Sequence, residues 1–156
     1  MAKKAYDAQS ITVLEGLEGV RAKPGMYVGD ADSRGITHLV KEIVGNSVDE
    51  STNGHGVFIG ITINGDQVTV HDSGRGIPVG KTKSNPKLDA LTAVATKLHA
   101  GGKINATDGN YETSLGTHGV GLAVVNALST KMHIWSHRNN KIYIQGFSKG
   151  KPLTEV

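Results

Sequence analysis

Cysteine is absent from this 156-residue chain. Neither a disulfide framework nor a thiolate metal site can support it, and a cytoplasmic setting is the natural expectation. Long apolar runs are absent too. Nothing reaches the ~18 residues of a membrane-spanning helix, and the N-terminus MAKKAYDAQS carries lysines without the apolar core of a secretion signal. A soluble, unexported protein with no membrane partner is expected. Aromatic residues make up only 4%, which leaves the core to Val, Ile and Leu.

Further absences remove catalytic classes. There is no H-E-x-x-H pair among the seven histidines, and a zinc reading is set aside. No G-x-S-x-G elbow supports a serine nucleophile. Gly74, Gly76 and GKT (80–82) invite a phosphate-loop reading. Their spacing misses G-x-x-x-x-G-K-[ST], however, and Pro78 would remove one backbone donor such a loop uses.

What is present has the size of one domain, with 37% apolar and 20% charged residues, a globular composition. The formal charge of +3 admits polyanion partners, but the cations are spread out. Their densest run, GKTKSNPK (80–87), reads most simply as a solvated loop.

Ser10 is placed to cap a short helix carrying Val13, Leu14, Leu17 and Val20, stopped by Pro24-Gly25. From Ile36, the residues Leu39, Val40, Ile43, Val44 and Val48 hold a helical period until STNGHG breaks it. The period then becomes two: Val57, Ile59, Ile61 and Ile63 alternate, Asn64-Gly65 supplies a hairpin turn, and Val68 and Val70 resume. Helices are predicted over 88–100 and 119–129, with a long loop between them. The strand-like runs KMHIWSH and KIYIQGF follow, joined by RNNK, and KGKPLTEV reads as a turn and the start of another strand. This order of elements implies an α+β sandwich.

One helix carries a second pattern. Glu42, Asn46, Asp49 and Glu50 share a polar stripe, and no Lys or Arg balances the acids at i+4. A solvated face is the simple reading. The chemical reading is Glu42 as a base orienting water and Asn46 as an oxygen ligand for Mg²⁺. In SLGTHGVGLAVVNALS, glycines at 116, 119 and 121 run into an apolar helix, a start that favours phosphate; Lys103 in the loop before it could add a cation.

EIVGNSVDE, DSGRGIP, LHAGGK and GTHGVG, in this order, together with RAKPGMYVGD and YDAQSITVLEGLEGVR, closely resemble the ATPase domain of type IIA DNA topoisomerases, over nearly the whole chain. The resemblance implies a Bergerat-type two-layer α/β sandwich with a mixed, mostly antiparallel sheet and helices on one face. It implies ATP and Mg²⁺ as cofactors, and a parent protein that works as a homodimer with a DNA-cleaving subunit on DNA. Glu42 matches the catalytic glutamate and Asn46 the magnesium ligand. Asp72 matches the acceptor for the adenine amino group, Gly76 the residue that lets the base approach, and Ile77 and Pro78 the pocket lining. Arg75 matches an arginine over the adenine side that pairs with Glu50.

Gly101, Gly102 and Lys103, with Gly116, Thr117, His118, Gly119, Val120 and Gly121, match the lid over ATP and its phosphate contacts. Tyr6 matches a residue of the N-terminal arm, here 1–14, that crosses to the partner's nucleotide. Arg138 matches a contact for coumarin-type inhibitors at the mouth. Gly45 stands where the family often has Asp, and Leu115 and Thr117 where it has Gly and Leu. Residues 1–156 are expected to form one ATPase domain cut before the transducer domain, better at binding nucleotide than hydrolysing it. The rival expectations are another Bergerat-fold ATPase of chaperone, mismatch-repair or kinase type, and a non-catalytic nucleic-acid-binding module.

Overall fold

The structure is a computed structural model that describes residues 7–11, 13–29, 32–101 and 119–156. Tyr6, Gly102, Lys103, Leu115, Gly116, Thr117 and His118 lie outside the described residues. A single 3-10 turn, Ala8–Ser10, is followed by α1 (Glu18–Ala22), α2 (Gly25–Val28) and α3 (Ser33–Thr52). A hairpin of β1 (Ile59–Asn64) and β2 (Gln67–Asp72) comes next. Then come α4 (Ala90–Thr96), α5 (Gly121–Leu128), β3 (Met132–Arg138), β4 (Lys141–Ser148) and β5 (Lys151–Pro152).

The first predicted helix is shorter than its pattern. Ser10 donates to the Asp7 carbonyl rather than capping a helix, and Val13 and Leu14 are exposed. Two glycines, 16 and 19, weaken propagation here, so only Leu17 and Val20 reach the core. By contrast, α3 extends beyond its apolar period to 20 residues. Asp32 caps it by accepting from the Arg34 N–H at 2.8 Å, and the Arg34 guanidinium holds the Asp32 carboxyl below its ordinary value. Its most buried side chains are Ser47 and Asp49, Leu39 packs on the core, and Ile36 is exposed, so the inward side of the helix mixes polar and apolar residues.

All described ladders are antiparallel. The strands form a two-stranded sheet, β1-β2, and a three-stranded sheet, β3-β4-β5. The parallel member of the mixed sheet implied by the family resemblance is not among these described pairs. In the first hairpin Asn64 and Gln67 are the closing pair, so the two-residue loop is Gly65-Asp66, one residue later than the sequence suggests. Gly65 alone has positive φ there, as a type II′ turn requires. Asn139 and Asn140 both adopt positive φ between β3 and β4, the type I′ alternative.

α5 lies between two apolar clusters. Ala123, Val124 and Ala127 join Leu17 and Val20 on one side. Leu122 packs toward Leu91, Ala95, Ile134 and Phe147 on the other. Fully buried Asn126 donates to the Ala95 carbonyl at 2.8 Å and accepts from the Gly150 N–H at 3.3 Å, tying α5 to α4 and to the β4–β5 turn. Arg21 of α1 donates to the Ala127 carbonyl in the last turn of α5, where a cation complements the helix dipole. Gly45 has open space where a Cβ would stand, in the interior of α3. Gly45→Ala is therefore expected to stabilise the fold by about 1 kcal/mol. A rise in Tm of roughly 2–4 °C in a thermal melt checks this.

Candidate functional site

The site begins where β2 ends. Asp72 leaves the ladder with one carboxylate oxygen accepting from Ser47 Oγ of α3 at 2.7 Å and the other from the Gly74 N–H at 2.9 Å. Ser73 turns back: its hydroxyl accepts from the Val57 and Phe58 N–H groups at 3.0 and 3.1 Å, which fixes the start of β1 against the end of β2. Arg75 meets Glu50 three times. Its backbone N–H and its Nε both donate to Oε2, at 2.9 and 3.0 Å, and Nη2 donates to Oε1 at 2.9 Å. Glu50 is only 15% exposed, so this forked, charge-assisted contact is largely shielded from water.

Two glycines permit the approach. A Cβ at Gly74 would lie 2.9 Å from both Asp72 Oδ1 and the Glu50 side chain. Gly76 has φ of +74°, and a Cβ there would lie 2.9 Å from the His137 carbonyl and from Ser136 Oγ. The close approach of β3 is therefore one physical reason for a glycine at 76. Around it, Ser136 Oγ donates to the Ile77 carbonyl at 2.7 Å and Arg138 Nη1 to the Gly76 carbonyl at 2.8 Å. These contacts join the end of the first hairpin to the second sheet. Ile77 packs on the α4/β3/β4 cluster, and Pro78 is exposed.

Glu42 stands two turns earlier on α3, about 12 Å from Glu50 along the helix. Its carboxylate lies against Gly121, at the start of α5, where any Cβ would collide with it. His38 Nε2 is 3.6 Å from Glu42 Oε1 on the same helix face. Asn46 is half-buried one turn after Glu42. Gly119 and Val120 lead into α5, and the Ala100 N–H donates to the Gly119 carbonyl at 3.2 Å. This bond ties Ala100 to Gly119, just before the start of α5.

The structure thus brings the expected residues into two groups on one helix: Glu42, Gly119, Val120 and Gly121, and Glu50, Asp72, Arg75 and Gly76. Sequence reasoning passes over Ser47 and His38, and weighs Gly74 only as part of a phosphate loop. Ser47 lies one position off the recognised stripe, and His38 is visible only as a histidine four residues before Glu42. His133 and His137 also stand four apart. On a helix that spacing converges on a metal, but along β3 it separates them by about 13 Å. Among the described residues no group of three His, Cys, Asp or Glu could hold an ion. Hollows open beside the β3–β4 turn and at the start of α3, but neither is bounded by Asp72, Gly76 or Glu42.

A helix that offers an acid and an amide to a glycine-opened helix start, with an acid-bearing strand end at its far side, marks a class of nucleotide-handling α+β proteins. The chain belongs to the histidine kinase-, DNA gyrase B- and HSP90-like ATPase family, whose profile matches residues 31–150. The DNA gyrase B protein of Halalkalibacterium halodurans is 48% identical over 155 residues, covering 99% of this chain and 24% of that protein. The B component of DNA topoisomerase 4 from Staphylococcus aureus is 51% identical over 146 residues, covering 93% of this chain and 21% of that protein. The chain thus spans less than a quarter of the length of either relative. The crystal structure of the 43K ATPase domain of Thermus thermophilus gyrase B in complex with an aminocoumarin matches with a TM-score of 0.73 and 36% identity. That match covers 88% of this chain and 32% of that one.

Glu50→Ala would remove the acceptor of three Arg75 hydrogen bonds. A loss of about 2 kcal/mol is expected in urea denaturation. Arg75→Lys should lose stability too, because an ammonium cannot reproduce the fork.

Proposed function

We propose that this chain is the ATP-binding part of the gyrase B-type subunit of a type IIA DNA topoisomerase. In the parent protein ATP binding closes a dimer gate and hydrolysis resets it, while the DNA-cleaving subunit passes one duplex through another. The observation that carries this reading is the division of α3 into two working ends. Ser47 and Glu50 lock the Asp72–Gly76 turn at one end, and Glu42 meets the start of α5 at the other. Family membership and the likeness to gyrase B and topoisomerase IV relatives support it.

In this reading Asp72 accepts from the adenine amino group. Arg75, held by Glu50, flanks the base, with Ile77 and Pro78 beside it. The start of α5 offers the N–H groups of Gly119, Val120 and Gly121 to the phosphates, and Gly101, Gly102, Lys103, Gly116, Thr117 and His118 supply the lid contacts. Glu42 orients a water for in-line attack on the γ-phosphorus and takes its proton. The new P–O bond forms as the bond to the β-phosphate oxygen breaks, releasing ADP and phosphate. His38 stands where it can hold the Glu42 carboxylate in register.

The donor set fits Mg²⁺: an oxygen-bearing amide beside a carboxylate, with no all-protein cage, is how this ion is held when substrate phosphates and waters complete its shell. Asn46 would hold it, and the ion would neutralise charge on the transferred phosphoryl group. Residues 1–14, with Tyr6, form the arm to the partner subunit, and 1–156 act as one unit within a longer ATPase region. The setting is cytoplasmic, and no described helix is long and apolar enough to cross a membrane. Arg138, fixed on the Gly76 carbonyl, is the coumarin contact at the mouth.

A thermal shift with Mg²⁺ and a non-hydrolysable ATP analogue tests binding. Ligand at about 100 times its Kd should stabilise the chain by ~2.7 kcal/mol, a rise of several degrees. Asp72→Asn should abolish the shift with the fold intact by circular dichroism. Glu42→Ala should preserve the shift and, in the parent subunit, remove turnover. Turnover surviving in that variant would refute the assigned base. A shift missing in the unmutated chain would leave the nucleic-acid-binding module as the better reading.

A further inference from the structure

The glycine that opens α5 has no explanation in its own helix. Gly121 lies within α5 and carries no positive φ, whereas Gly119, two residues earlier, has φ of +62°. Any residue could take the Gly121 backbone, and alanine is the better helix former. What a side chain at 121 would meet is Glu42. A Cβ there would stand 3.0 Å from Glu42 Cδ and 3.1 Å from Glu42 Cβ, and would collide with Oε2. The other oxygen, Oε1, is 3.6 Å from His38 Nε2. The carboxylate therefore lies between a histidine of its own helix and bare backbone of α5. Its side chain is 33% exposed, so water still reaches it.

Neither helix is free to yield. Leu39, on the same side of α3 as Glu42, and Val120, next to Gly121, both pack on the cluster of Val20, Ala123, Val124 and Ala127. Asn126 fastens the far end of α5 to α4 and to the β4–β5 turn. Apolar packing thus sets how near α5 comes to α3, and a packed interior resists being parted. The contact with Glu42 Cβ involves the root of the side chain, which no rotamer change removes, while Cδ and Oε2 can swing. A methyl group at 121 would therefore tighten the helix contact and turn the carboxylate away from α5.

We propose that Gly121 is a positioning residue for ATP hydrolysis: the space left by its missing side chain is the seat that holds the Glu42 carboxylate at the start of α5. The inference rests on the reading of Glu42 as the group that orients the attacking water and takes its proton. It gives Gly121 a part separate from phosphate binding. The backbone N–H that would serve the phosphates is present whatever the side chain, but the seat exists only with glycine. A base must stand within about 3 Å of the proton-bearing atom, and a misplacement of about 1 Å costs on the order of 100-fold in rate. Filling the seat should therefore reduce the rate and spare the affinity.

In the parent subunit Gly121→Ala should lower kcat about 100-fold and leave KM for Mg²⁺–ATP within roughly twofold. A raised KM at unchanged kcat would mean that Gly121 serves the phosphates instead, and overturns the proposal. Thermal melts of this chain supply a second readout that needs no turnover. Gly121→Ala should lower Tm in the unmutated background, and the loss should largely vanish beside Glu42→Ala, where no carboxylate remains to be displaced. Equal losses in both backgrounds overturn the proposal. If Gly121→Ala alone does not fold, the double variant with Glu42→Ala should, and its failure would show that packing rather than the acid demands the glycine. Turnover that survives Glu42→Ala would sink the base and this inference with it. Turnover lost in Glu42→Ala but undiminished in Gly121→Ala would sink the seat alone.

Discussion

The clamp between the end of α3 and the Asp72–Gly76 turn is the constraint on which the remaining geometry depends. Glu50 takes three hydrogen bonds from Arg75, and Ser47 gives one to Asp72. Both contacts are short, charge-assisted and mostly out of water, so they act as a hinge pin. Ile61 and Ile63 of the β1-β2 hairpin are exposed, so burial of its apolar side chains does little to seat it. The polar clamp sets the angle at which the hairpin leaves the helix, and hence where the Asp72 carboxylate faces.

The same turn is fastened on its other side by β3, through Ser136 and Arg138. Two sheets that share no ladder among the described residues are therefore joined by side-chain-to-carbonyl bonds around Gly76. The α5 end is organised independently. Buried apolar residues lock α5 between two clusters, and Asn126 fixes its rotation. Because α3 is one rigid rod touching both regions, the separation between Glu42 and Glu50 is a property of helix rise, and neither end can drift relative to the other.

Much of this is legible in the residue order. α3, both hairpins and α5 follow from periodicity, and the stripe from Glu42 to Glu50 is visible as acids lacking cationic partners on their own helix. The explanation of that imbalance is not visible in local pattern and comes only through the family resemblance, because Arg75 lies 25 residues from Glu50 in sequence. Other expectations are displaced by packing. The period over 13–20 promises a longer helix than two glycines allow. Gly76 sits so close to β3 that any side chain there would strike it. Ser47 and Gly74, on which the turn relies, are small residues whose importance lies in what comes near them.

Pattern and composition alone gave the element types and the α+β class, because periodicity is a local property, whereas the assignment of residues to a nucleotide rests on resemblance to a family. Folding settled which of those residues meet. It buried Ser47 and Asp49 of α3, put Gly121 against Glu42, and left the Trp135 face of the second sheet open. None of these is a local property. Each follows from distant segments sharing one small volume, where every buried acid, carbonyl and N–H must find a partner that sequence neighbours cannot provide.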